Sequence, residues 1–260
     1  NYPRQAFHKI LNGHPAEKMP PLRFLSTERL GDLLAYTQTL PEKNLSASIA
    51  RGGRLYDNWQ KEKDIQAQNY RHPAYPREAD YANLPDVNWR CKECHGWDYK
   101  GVEGAYGRGR HRTGIKGIRE AGGRDPDEII ILLMEKNHRY HGTQWLKGPL
   151  DYQDLMDLAN FVVYGQIDME TYIDLKTGIA KGDPMRRMNE YNVLCATCHG
   201  KQGDALATGR NVGDVARENP WEALHKIRNG HPDEAMPALH TLDIEMQIEI
   251  LAYTQSLPDS

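Results

Sequence analysis

The chain lacks most of the features that mark common functional classes. No apolar run approaches the roughly 18 residues that a membrane-crossing helix needs, so no membrane span is expected. Lys and Arg number 33 against 36 Asp and Glu, leaving a formal charge of −3 and a pI near 6.4. Without a basic footprint, nucleic acid is not an expected partner. Strand patterns are sparse. There is no recognisable Ser-His-Asp pattern, phosphate-binding glycine loop or zinc-protease signature, and the glycines between positions 101 and 123 follow no strand of the dinucleotide-binding type. Cysteine is scarce too, with four in 260 residues. The chain is nevertheless long enough for two or three small domains, and its start at Asn1 reads as that of a processed or trimmed chain.

Those four cysteines carry the chemistry. Cys91 and Cys94 precede His95, and Cys195 and Cys198 precede His199, so each pair at CxxC spacing is followed at once by a histidine and then a glycine. Two thiols three positions apart near a helix start can form thioether bonds to both vinyl groups of a haem, and the adjacent histidine then faces the iron. A CxxC pair alone would equally suit structural zinc or a dithiol redox centre. A histidine beside each pair, twice over, points to two haem c groups, with His95 and His199 as proximal ligands.

An internal repeat organises the rest. Residues 6–41, AFHKILNGHPAEKMPPLRFLSTERLGDLLAYTQTLP, match residues 223–258, ALHKIRNGHPDEAMPALHTLDIEMQIEILAYTQSLP, at 21 of 36 positions without a gap. In each copy a short helical stretch ends at Asn-Gly, a Met-Pro dipeptide follows, and an amphipathic helix closes at Leu-Pro. The second copy lies behind a CxxCH and the first does not. We therefore expect a partial module over residues 1–43 that lacks its CxxCH, a linker plus first haem domain over 44–165, and a linker plus second haem domain over 166–260. A longer precursor, a lost haem or another chain would account for the missing half. In a longer precursor a third haem would follow, with Met19 as its ligand.

The stretch GIAKGDPMRRMNEYNVLCATCHGKQGD, with Met236-Pro237 37 residues beyond His199 and the closing LAYTQSLP, resembles the small monohaem cytochrome c domain. The resemblance covers residues 183–258. It implies a mostly α fold, with small helical domains in tandem joined by long irregular connections and a porphyrin supplying much of each core. It also implies Met236 as sixth iron ligand, and Tyr191 and Tyr253 packed where the first and last helices of the domain cross. His225 and His231, which recur in the first copy as His8 and His14, compete with Met236 or serve packing.

RCKECHGWDYKGVEGAYGRGRHRTGI, with ARGGRLYDNW upstream, resembles a subgroup of bacterial multihaem c-type cytochromes. Sliding Asp125-Pro126 onto Asn219-Pro220 brings His141 beside the counterpart of Met236. His141 is then the expected sixth ligand of the first haem, His138 the second choice, and His111 and Met134 trail. A His/His iron has a lower potential than a His/Met iron, so the two haems are expected to differ. The basic residues Arg108, Arg110, Arg112, Lys116, Arg119 and Arg124 are candidates for haem propionates or an acidic partner.

The first functional reading is single-electron transfer through two haems, between other redox proteins as donor and acceptor, as a free carrier or as a subunit of a larger complex. The alternative is a haem enzyme, a dihaem oxidoreductase or peroxidase-like protein of the kind used in sulfur-compound oxidation, with one open or exchangeable iron. Cysteine ligation of an iron is excluded in either case, because all four cysteines are consumed by attachment. Cytochrome c maturation on the outer side of the cytoplasmic membrane implies a periplasmic or otherwise extracytoplasmic protein.

Overall fold

The structure, a computed structural model, describes residues 11–12, 26–31, 45–66, 68–134, 150–205 and 210–259. The chain divides into two compact units, Asn1–Ala47 and Ser48–Ser260. In the first, residues 27–31 are helical, and the Ser26 hydroxyl accepts the Arg29 N–H as a cap (3.3 Å).

The second unit holds both CxxCH motifs. Helix α1 (Leu45–Glu62), which belongs to this unit from Ser48 on, is kinked at Asn58 (φ −156°, ψ 88°), whose side-chain oxygen accepts from Lys61 N–H and restarts the last turn. The short helices α2 (Pro85–Asn88) and α3 (Cys91–His95) follow. Next come α4 (Pro126–Met134) and α5 (Tyr152–Asn160), the latter opened by a reciprocal cap between Asp151 and Asp154 and widened into a π turn over Phe161–Gly165. After α6 (Met169–Tyr172) the last module contributes α7 (Met188–Leu194), α8 (Ala196–His199), α9 (Val212–Glu218), α10 (Pro220–Asn229) and α11 (Ile244–Gln255). The described residues form no strand, only isolated bridges at Gly101–Lys116 and Ile173–Ala180. The fold is mostly helical, as the resemblance implied.

Both modules are built on one crossing. In the last, Tyr191 of α7 meets Tyr253 of α11 with ring centroids 5.1 Å apart. In the middle one, Tyr56 of α1 meets Phe161 just beyond α5 at 5.3 Å. Such aromatic pairs add about 0.5–1.5 kcal/mol beyond the area they bury. The stretch expected as a linker from residue 44 thus begins with a core helix. Its polar letters obscured that, because Asp57, Asn58 and Gln60 are buried. Arg90 neutralises Asp57 through its guanidinium and donates to its carbonyl.

Gly52 and Gly53 explain how tightly α1 is gripped. A Cβ at Gly52 would lie 1.9 Å from the Asp157 carbonyl oxygen, and one at Gly53 would lie 2.3 Å from the Asn229 side chain. Two helical glycines cost roughly 0.5–1 kcal/mol each in backbone entropy, and here they admit α5 on one side and α10 on the other. Ion pairs from Arg51 to Asp154 and Asp157 reinforce the first contact. One continuous apolar core results, including Tyr56, Trp59 and Phe161 of the middle module with Leu224, Ile227, Ile248 and Leu251 of the last.

Candidate haem sites

The two CxxCH segments have the same backbone form. Each is a short helix ended by a glycine in the left-handed region, Gly96 at φ 79° and Gly200 at φ 76°, a conformation that side chains disfavour. Six residues beyond the histidine in both, an N–H returns to the histidine carbonyl: Gly101 to His95 (2.8 Å) and Ala205 to His199 (3.1 Å). The hydroxyl of the crossing tyrosine donates to the glycine carbonyl in both, Tyr56 to Gly96 (2.6 Å) and Tyr191 to Gly200 (3.1 Å). The resemblance of residues 183–258 marks Tyr191 and not Tyr56, whose helix α1 lies outside it and ends 29 residues before Cys91 (91 − 62).

Beside the first motif lies an apolar cavity. Cys91, Cys94 and His95 line it, with Trp59 and Trp89 on one side and Ile129, Leu133 and Val162 on another. The His95 Nδ1 hydrogen bonds to the Lys116 carbonyl (2.8 Å). A carbonyl only accepts, so that nitrogen carries the proton and Nε2 is left as the basic one, as metal-bound imidazoles require.

Burial pushes Cys91 and Cys94 up to about 12 and Cys195 up to about 11, unlike the lowered thiols of redox nucleophiles. The four cysteines form no disulfide. Among the described residues no three His, Cys, Asp or Glu side chains converge as an all-protein metal site would require. A haem iron asks less, since the porphyrin supplies four ligands.

At the second motif His199 is half-buried, and its Nδ1 is buried without a partner among the described residues. Burial first, and nearby His231 second, hold this imidazole below its ordinary value, so it is neutral and able to bind iron. Met236 is half-buried in the turn that follows α10, with its carbonyl against Gly230. His231 turns its Nδ1 to the Pro232 carbonyl (2.8 Å).

Residues 182–253 match the family of cytochrome c oxidase, cbb3-type, subunit III. The matched segment runs from just before α7 through the crossing tyrosine of α11. It supports a c-type cytochrome with covalently bound haem c and haem-based electron transfer. No curated protein and no solved structure matches the chain.

The remaining candidates are distributed unevenly. His138, His141 and Met19 lie outside the described residues. His111 is engaged by Glu93 (Nδ1 to Oε1, 2.9 Å) and stacks on Tyr106 at 4.5 Å; neither it nor the exposed Met134 lines the cavity. None of the six basic candidates for propionates lines it either: Arg110 reaches Asp80, Arg124 reaches Glu128, and Lys116 contributes its carbonyl to His95.

Sequence reading passed over His72 and Arg90, both on the cavity wall. His72 is buried; its N–H donates to Asn88 (2.8 Å), its Nδ1 accepts from Ala74 N–H (3.2 Å), and its ring packs edge-on against Trp89. Nδ1 as an acceptor places the ring proton on Nε2. His72 thus presents an Nε2–H within the buried cavity wall. The only signal for it was a histidine in the Pro- and Tyr-rich segment before the CxxCH.

Proposed function

We propose that the chain passes single electrons through two haems c, one held by Cys91, Cys94 and His95 and one by Cys195, Cys198 and His199. The observation that carries this reading is the apolar cavity beside the first motif, with both thiols on its wall and His95 oriented by the Lys116 carbonyl. Bound there, the haem supplies the one-electron chemistry. The protein's own residues attach it, present a basic Nε2, exclude water with Trp59, Trp89 and Ile129, and offer His72 and Arg90 as donors. Met236 would complete the binding of the second haem, and His141, or else His138, that of the first; a methionine ligand would give the second haem the higher potential.

The partners are redox proteins acting as donor and acceptor, and the cbb3-type likeness of residues 182–253 favours a place in a larger redox complex. Among the described residues no helix is long and apolar enough to cross a membrane. Covalent haem attachment is the ground for expecting the periplasm or an equivalent compartment.

The test is the mass of the intact chain, followed by optical spectra of the oxidised and reduced protein with and without cyanide and carbon monoxide. Two haem masses, two irons that ignore both ligands, and one methionine–iron charge-transfer band are expected. Ready ligand binding by either haem would replace electron transfer with a haem enzyme reaction.

A further inference from the structure

His225, on α10 of the last module, is fully buried and uses both ring nitrogens across the boundary with the middle module. Its Nε2 meets the Gly53 carbonyl of α1 and its Nδ1 meets the Tyr99 hydroxyl, each at 2.9 Å. The carbonyl can only accept, so Nε2 carries the proton and Nδ1 accepts from Tyr99. The ring also lies 5.0 Å from Trp97 and 5.8 Å from Tyr56.

Both partners of His225 lead to the first haem motif. Gly53 lies one helical turn before Tyr56, whose hydroxyl donates to the Gly96 carbonyl directly after His95. Tyr99 sits at φ 66°, a left-handed backbone rarely taken by a bulky residue and held only where its surroundings insist on it. Its carbonyl accepts from Ile118 N–H (2.7 Å) and Arg119 N–H (3.0 Å). Those bonds fix the segment whose Lys116 carbonyl takes the His95 Nδ1–H.

We infer that His225 of the last module is a positioning residue for the haem of the middle module, acting through Tyr99 and the 115–119 segment on the hydrogen bond that orients His95. This rests on the two-haem reading above. The bond from a proximal histidine to a carbonyl raises the basicity of the ligand and fixes its ring. A stronger imidazole donor favours the oxidised iron, so loosening the carbonyl raises the potential of the first haem. The second haem draws its histidine from α8, which has no part in this chain of contacts.

The experiment is a redox titration followed by electron paramagnetic resonance, with the two low-spin haem signals tracked separately in the full chain and in H225F, H225Q and Y99F. H225F and Y99F are expected to shift the first haem's midpoint upward and move its signal while leaving the second haem's midpoint in place. H225Q, which retains a donor and an acceptor, is expected to shift it less. Should H225F fail to fold, Y99F, which removes a single hydroxyl, carries the same readout. Unmoved midpoints and signals in a Y99F protein that binds two haems overturn the inference and leave the two-haem reading intact. A wild-type mass without haem on Cys91 and Cys94 overturns both. A purely structural role would lower the melting temperature and leave the midpoints unmoved.

Discussion

His225 carries a second consequence at the scale of a single side chain, through its burial. Burial first of all depresses its pKa to about 4; Lys226 and Arg228 add to this, and Asp57 and the Gly53 carbonyl oppose it. In the unfolded chain it titrates at the ordinary 6.5. Between these values the unfolded state binds the extra proton, so stability rises with pH across the window and falls as pH drops from about 6.5 toward about 4. A difference of 2.5 units (6.5 − 4) corresponds to about 3 kcal/mol. Denaturant titrations at a series of pH values should show that decline in the wild-type protein and a flatter profile in H225Q. Equal slopes in the two proteins would mean that His225 is not buried as a neutral ring. Met236 belongs to the same scale. M236A is expected to abolish the methionine–iron charge-transfer band and lower the potential of one haem, as read by near-infrared absorption and redox titration.

Close packing of α1 on two other helices is set by side chains that are absent. At Gly53 an added methyl meets the Cβ, Cγ and Oδ1 of Asn229, whose amide also donates to the His225 carbonyl (2.9 Å). The neighbour is therefore pinned and cannot swing aside. At Gly52 the obstacle is backbone, the Asp157 carbonyl. Overpacking of this kind costs about 1–3 kcal/mol, offset in part by the better helix propensity of alanine. G53A is expected to lower the melting temperature and weaken the docking of α10, whereas G52A should be the more damaging because a backbone carbonyl yields less than a side chain. Calorimetry on the two holoproteins checks the order. Helix α11 is gripped at its middle by Arg186 and Arg187, which both reach Glu249.

Across the whole second unit, the middle and last modules share one core, although the chain carries two haem motifs 104 positions apart (199 − 95). Leu224 and Ile227 of α10 belong to the cluster that contains Tyr56, Trp59 and Phe161. Tandem domains on a flexible tether would melt separately; a shared core should melt once. Unfolding followed at the haem absorption bands and by far-ultraviolet circular dichroism is expected to give coincident transitions for residues 48–260. Two separated haem transitions would show that the modules are energetically independent.

Much of the chemistry could be read from the letters because it depends on short spacings. Cys-x-x-Cys-His places two thiols and an imidazole within two helical turns whatever surrounds them, and the crossing role of Tyr191 followed from the resemblance to the small cytochrome c domain. The repeat of residues 6–41 at 223–258 was legible for the same reason, as a comparison of letters alone. The crossing of α1 by Phe161, the cavity wall at His72 and Arg90, and the burial of Asp57 were not legible, because each joins segments far apart in the chain. A polar stretch with buried charges looks like a linker until its partners are known; Asp57 becomes a core residue only once Arg90 has folded back onto it. The same holds for His225. From sequence it was a recurring histidine with several possible uses, and only tertiary structure, by bringing Gly53 and Tyr99 to its two nitrogens, decided which atoms it holds. Local covalent spacing determines what chemistry a chain can hold, whereas long-range closure determines which side chains are dry, and burial sets both the ionisation and the hydrogen-bond direction of a histidine.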